Sequence, residues 1–154
     1  MNGVVTAICI CPIAGGKMQQ VDEVEAIQGL GLKGDRYATG EGSFNKKSGI
    51  GNRQVTLVNA IFFDGRPFSF ADSRRNIVTT GVELMDLISR AFEIGDACFR
   101  GVKYCDPCVR PSKLSGNQMS FKEAFFDRGG LIAEVIEGGI IRVGDSIIPP
   151  PKSY

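Results

Sequence analysis

Cys105 and Cys108 frame an Asp-Pro step and are followed by Arg110 and Lys113. A thiol does its chemistry as the anion. With an ordinary pKa of about 8.5, only about 3% is ionised at neutral pH, and lowering that value by two units takes roughly 2.7 kcal/mol of preferential thiolate stabilisation. Arg110, Lys113 or a helix beginning after Pro107 could supply it. Three chemistries compete with the plain alternative that both cysteines are small buried side chains. A thioredoxin-like redox pair lacks a surrounding βαβ pattern. A structural zinc site would combine Cys9, Cys11, Cys105 and Cys108, but Cys9 and Cys11 form a Cys-x-Cys where zinc knuckles space their ligands more widely. The third is a single soft thiolate for a metal cofactor.

The densest basic site is Arg74-Arg75-Asn76, just before Ile77-Val78-Thr79-Thr80-Gly81. With Lys17, Arg36 and Arg53 it could line an anion pocket, because guanidinium forks match phosphate and other oxyanions; a solvated loop carrying two arginines is the competing account. Gly29-Leu30-Gly31-Leu32-Lys33-Gly34 has the spacing of a dinucleotide fingerprint, but the Gly- and Asn-rich stretch after it has no helical period to place amides against a pyrophosphate, so it reads as a glycine-built turn. Asp22, Glu23 and Glu25 read as an exposed strand face.

Composition removes whole classes of mechanism. Among 154 residues there is no histidine, so no Ser-His-Asp or Cys-His pair and no His-ligated zinc can form. Catalysis would run on thiols, carboxylates, lysines, tyrosines or a cofactor. Eighteen Lys plus Arg against 17 Asp plus Glu give no net field for nucleic-acid binding. The apolar run after the N-terminus is far short of the ~20 residues a membrane helix needs, and five cysteines, an odd number, fit a reduced compartment. The expectation is a cytoplasmic protein without nucleic-acid or membrane partners.

The elements that would position these residues are mostly strands. Val4 to Cys11 reads as a strand covered on both faces, with Val5, Ala7, Cys9 and Cys11 on one of them. Val21 to Ile27 alternates as an edge strand, residues 35–52 form a long functional loop, and Gln54 to Val58 resumes a strand. Phe92 to Phe99 and Ile141 to Ile148 are alternating runs hinged at Gly95-Asp96 and Gly144-Asp145. Leu131 to Ile136 is another strand, with Gly138-Gly139 as a hairpin turn. Helices are short: one over Val82 to Ile88, and one opened by the capping box Ser120-Phe121-Lys122-Glu123 and running to about Asp127. This pattern predicts a mostly β fold, a barrel or closed sandwich in one domain over 1–148, with a Pro-rich tail over 149–154.

In order and spacing, these elements resemble the MOSC domain, named for the C-terminal part of molybdenum cofactor sulfurase. The signposts are Pro12 to Met18, Gly31-Leu32-Lys33-Gly34-Asp35-Arg36, Arg53 to Leu57, Arg75-Asn76 to Gly81, Phe92 to Asp96, Pro107-Cys108, and Gly138-Gly139 through Gly144-Asp145. The resemblance implies a closed, mostly antiparallel β-barrel with a few short helices. It implies molybdenum cofactor, a molybdenum–pterin, held through a thiolate at Cys108, with Lys17, Arg36, Arg53, Arg75, Asn76 and Thr80 around its anion and pterin. Some relatives reduce N-hydroxylated compounds at that metal. Such an activity would need an external electron-transfer partner, as no flavin, haem or nicotinamide motif is present, and no pyridoxal phosphate is expected without the sulfurase domain. A non-enzymatic sulfur or cofactor carrier working with an assembly protein, with Cys105 as resolving thiol, and a zinc-stabilised binding module stay open beside it. Relatives usually have His where this chain has Tyr37.

Overall fold

The computed structural model describes residues 3–40, 53–107 and 110–150. Its strands are β1 (Gly3–Ile10), β2 (Gln19–Val21), β3 (Glu23–Ile27), β4 (Gly31–Leu32), β5 (Val55–Asn59), β6 (Ile77–Thr80), β7 (Ala91–Ile94), β8 (Ala97–Tyr104), β9 (Leu131–Glu137), β10 (Gly139–Arg142) and β11 (Ser146–Ile148). Three short helices accompany them: α1 (Arg36–Thr39), α2 (Arg110–Ser115) and α3 (Phe121–Ala124). Seven strands close a barrel in the order β1-β11-β7-β8-β9-β5-β6 and back to β1. The expected closed, mostly antiparallel barrel is therefore present, with one pairing, β5 to β6, running parallel.

That parallel pair has a consequence for the site. Two parallel neighbours cannot be joined by a tight turn, so residues 60–76 must cross over outside the barrel. The crossover carries its own apolar filling, in which Phe63, Phe68, Phe121 and Phe125 pack with Val58 and Val78. It returns the chain to the start of β6, setting Arg74, Arg75 and Asn76 at that end of the barrel.

The barrel interior is apolar. Val5, Ile8, Leu57, Ile77, Phe92, Phe99, Leu131 and Ile147 form one cluster, and Val24, Ala26, Leu32 and Ile141 join it from a separate sheet ordered β10-β3-β4. Phe92 and Phe99, opposite each other on β7 and β8, stack at 5.7 Å.

Local pattern and the structure part company at five places. In β1 a register shift between Val5 and Ala7 reverses the alternation: Val5 and Ile8 face the barrel interior, while Ala7, Cys9 and Cys11 face the outer clusters. A bulge adds one residue, and one residue inverts a period of two. The run over 21–27 is broken at Asp22, with β2 pairing to β1 and β3 to β10. Gly138-Gly139 is no hairpin turn, because β10 leaves β9 to pair with β3; a Cβ on Gly138 would lie 2.7 Å from the Ala26 carbonyl oxygen. Ser120 caps α3 as expected, its Oγ accepting from the Glu123 amide at 3.3 Å, but α3 ends at Ala124, before the left-handed Asp127 (φ 60°). Over Val82 to Ile88 a 3₁₀ turn spans Leu84–Leu87.

Candidate functional site

Arg74 occupies the left-handed backbone region (φ 61°), which a residue bearing a Cβ adopts at a cost of about 1–2 kcal/mol. The turn before it explains how this is held. The Ser69 amide donates to Asp72 Oδ2 at 2.9 Å, the Ser73 hydroxyl donates to the Phe70 carbonyl at 2.7 Å, and the Arg75 amide donates to Ser73 Oγ at 3.2 Å. The reversal at Arg74 sends two adjacent guanidinium groups to different places.

Arg74 reaches the loop after β1, its Nη1 donating to the Gly16 carbonyl at 2.8 Å. There a groove of about 410 Å³ is lined by Gly15, Gly16, Lys17 and Met18, by Ser69, Asp72 and Arg74 from the crossover, and by Leu114 and Ser115 from α2. Lys17 is exposed on its rim. Arg75 turns away, with Nε donating to the Gly129 carbonyl at 2.7 Å and Nη2 to the Asp106 carbonyl at 3.4 Å. Its guanidinium lies 5.6 Å from the Phe121 ring centre. The sequence offered both paired arginines for an anion pocket, and the resemblance singled out Arg75; of the two, Arg74 lines this groove. The shared Arg-Arg motif was the available signal, and the backbone reversal that sorts the two was not legible in it.

Behind the groove lies a second polar construction. Asp35 caps α1, Oδ2 accepting from the Tyr37 amide at 3.2 Å while Oδ1 accepts from the Cys11 amide at 2.9 Å. Arg36 completes an ion pair with Asp35 at 3.1 Å. Its Nη2 donates to the Arg74 carbonyl and to the Tyr37 hydroxyl, each at 3.1 Å, and its Nη1 lies 3.5 Å from Met18 Sδ. Arg36 and Tyr37 are both buried, so Arg36 braces the groove from within by holding the Arg74 backbone. Asn76, fully buried, clasps three strands: Oδ1 accepts from the Thr56 amide at 3.0 Å and Nδ2 donates to the Cys9 carbonyl at 3.1 Å.

Other expected residues are dispersed. Thr80 is hydrogen-bonded to the Thr6 hydroxyl and lines a different groove with Asn59, Ile61, Phe62 and Glu83. Arg53 is half-buried just before β5. Cys108 lies outside the described residues, as do 41–52 of the expected functional loop. Lys113 is exposed on α2.

Cys105 is fully buried, its amide donating to the Gly130 carbonyl at 2.9 Å. Next to it, burial above all, helped by the carboxylates of Asp106 and Asp127, pushes the Tyr104 phenol up. Cys9 and Cys11 pack with Met18, and burial pushes the Cys9 thiol up to about 11. Among the described residues no three His, Cys, Asp or Glu side chains gather as a metal site, so Cys9, Cys11 and Cys105 do not assemble the zinc arrangement. Among those residues, too, no helix is long and apolar enough to cross a membrane.

Solved structures share this architecture. The YuaD protein of Bacillus subtilis aligns over 96% of this chain and 94% of its own, with a TM-score of 0.76 at 17% identity. YiiM from Geobacillus stearothermophilus aligns over 97% of this chain and 75% of its own, with a TM-score of 0.70 at 13% identity. YiiM from Escherichia coli covers 99% and 71%, with a TM-score of 0.67 at 17% identity. At such identities the likeness is one of fold. No curated protein matches the sequence. The model of the MOSC domain matches residues 50–148, a span running from β5 through β11 and including the Arg74 turn and Cys105 to Cys108, and the chain belongs to the MOSC domain family.

Proposed function

We propose that this protein binds molybdenum cofactor, with Cys108 as the thiolate ligand and the Lys17–Arg74 groove holding the anionic end of the pterin, and that it reduces N-hydroxylated compounds with electrons from an external donor. The observation that carries this reading is the groove itself. Two cations from distant parts of the chain, Lys17 and Arg74, line one concavity, and its volume of about 410 Å³ falls within the ordinary range for small-molecule sites. Its one carboxylate, Asp72, accepts from the Ser69 amide and is outnumbered by the two cations, so the lining carries a net positive charge. The donor set fits: cationic nitrogens for a phosphate, and a soft sulfur in Cys108 for molybdenum.

When bound, the cofactor would supply a metal able to accept oxygen from an N–O bond. The chain's own residues bind and orient. Lys17 and Arg74 hold the anion. Arg36, paired with Asp35 and bonded to the Arg74 carbonyl, keeps Arg74 in its left-handed turn. Tyr37, which stands where relatives carry His, has its hydroxyl engaged by Arg36 and supports that guanidinium.

The test is expression in hosts with and without molybdenum cofactor synthesis, followed by mass-spectrometric measurement of bound Mo, pterin and Zn. Mo is expected only in the competent host, to be lost in Cys108→Ser and reduced in Lys17→Glu. Mo absent from every sample, or unaffected by Cys108→Ser, overturns the reading. Sulfane sulfur on Cys108 without Mo would replace it with the carrier.

A further inference from the structure

Three sulfur side chains gather in one buried cluster beside the groove. Cys9 and Cys11 are fully buried, Met18 is 7% exposed, and Phe70 and Ala71 of the crossover pack against them. Cys9, on β1, and Cys11, just after it, lie two residues apart and face the same outer cluster. The rise of an extended chain sets such a pair about 6.6 Å apart with parallel side chains, wider than the Cβ spacing of about 3.8 Å that a disulfide takes. An ion seated between the two sulfurs spans that gap. Met18 offers a third donor: its Sδ lies 3.5 Å from Arg36 Nη1, and the residue lines the groove. A Cβ on Gly16, another groove residue, would lie 2.9 Å from Cys11 Sγ, so that sulfur sits directly beneath the groove loop and the groove gives a route to it. The neighbouring Asp35 carboxylate is occupied by the amides of Cys11 and Tyr37 and by Arg36, which leaves the donor set one of sulfur alone.

We propose that Cys9, Cys11 and Met18 form a binding site for a soft monovalent metal ion, Cu(I), opening on the groove. Zinc takes four ligands from thiolate, imidazole and carboxylate, whereas thiolates with a thioether suit Cu(I). On binding, the two thiols release their protons to solvent, two thiolate–copper bonds form, and copper remains Cu(I), so the complex carries a single negative charge. Its surroundings match that charge, because Lys17, Arg36 and Arg74 outnumber Asp35 and Asp72. The site is independent of Cys108 and of molybdenum.

The test titrates the reduced full chain, under exclusion of air, into Cu(I) held by the chromogenic chelator bicinchoninate, and reads the copper withdrawn from the loss of colour. Wild type is expected to withdraw a single equivalent, with loss in Cys9→Ala and Cys11→Ala, about tenfold weakening in Met18→Leu, and no change in Cys105→Ala or Cys108→Ser. Alanine keeps the buried positions apolar, and circular dichroism checks the fold of each variant. No withdrawal by wild type overturns the proposal. So does withdrawal that survives Cys9→Ala or Cys11→Ala, or that disappears in Cys105→Ala or Cys108→Ser, since either result puts the copper on other cysteines. Should an alanine variant fail to fold, copper-edge X-ray absorption on wild type grown with selenomethionine decides. Sulfur neighbours with one selenium are expected, the selenium being lost in Met18→Leu; nitrogen or oxygen neighbours, or no selenium, reject the site.

Discussion

Inside the barrel Val5, Leu57, Phe92, Phe99 and Ile147 meet one another, whereas on the flank beside the crossover Asp35, Arg36, Ser73, Arg74, Arg75 and Asn76 are buried nearly as deeply and are polar or charged. The interior is held by area removed from water and by close packing, both tolerant of which apolar group supplies them. The flank is held by named bonds, each with a donor and an acceptor that fail if one is removed. Function can therefore sit on the flank. A closed apolar barrel provides rigidity, and the flank uses that rigidity to keep cations buried in fixed directions around a groove.

Changes at three sites probe this contrast. The largest effect belongs to the interior: Phe99→Ala removes a fully buried ring stacked on Phe92 and should lower unfolding free energy by about 4 kcal/mol, measured by urea denaturation, with little change in anion binding at the groove. Next is Asp35→Ala, which strands Arg36 and leaves the amides of Cys11 and Tyr37 without their acceptor. A loss of about 3 kcal/mol is expected, and the double change Asp35→Leu with Arg36→Met should recover much of it, since removing both charges is far cheaper than removing one. Recovery of stability without recovery of the groove's anion affinity would separate the flank's structural task from its binding task.

The smallest effect is alkaline. Cys9, on the outward face of β1, has its thiol pushed up to about 11 by burial, so the unfolded chain loses that proton first as pH rises. Its contribution is complete below pH 9 and declines as pH rises through 11, by about 2.7 kcal/mol in all. Cys9→Ala should flatten that part of the stability profile relative to wild type. An identical alkaline decline in the variant would show that other groups control it.

Much of the architecture could be read from the chain. Alternation over Phe92 to Phe99 with Gly95-Asp96 between gave a true hairpin, β7 to β8, because both partners and their turn lie within a few residues. The same reasoning placed a turn at Gly144 but not its partners, since β11 goes to β7 and β1, and it failed at Gly138-Gly139, where β10 goes to β3. Val5 and Cys9 were expected on one face of β1 and stand on opposite faces, because a bulge is set by the neighbouring strands and leaves no mark in a run of β-branched residues. At the site, Lys17 and the Arg-Arg pair pointed to an anion, and the choice between the two arginines turned on one backbone angle.

Read from the chain alone, periodicity, turn residues and composition gave the mostly β class and excluded histidine-based chemistry, because these are local quantities, while the order of the motifs gave the resemblance to the family, and that resemblance put Cys108 forward. Tertiary structure decided which cations meet. Lys17 and Arg74 are separated by most of the chain's first half and share a groove only because β5 and β6 run parallel, which forces a crossover outside the barrel and returns it beside the loop after β1. It also decided that Arg36 holds the Arg74 turn and that Arg75 turns away from the groove, since their bonds go to carbonyls at Arg74, Asp106 and Gly129 that no local pattern brings near.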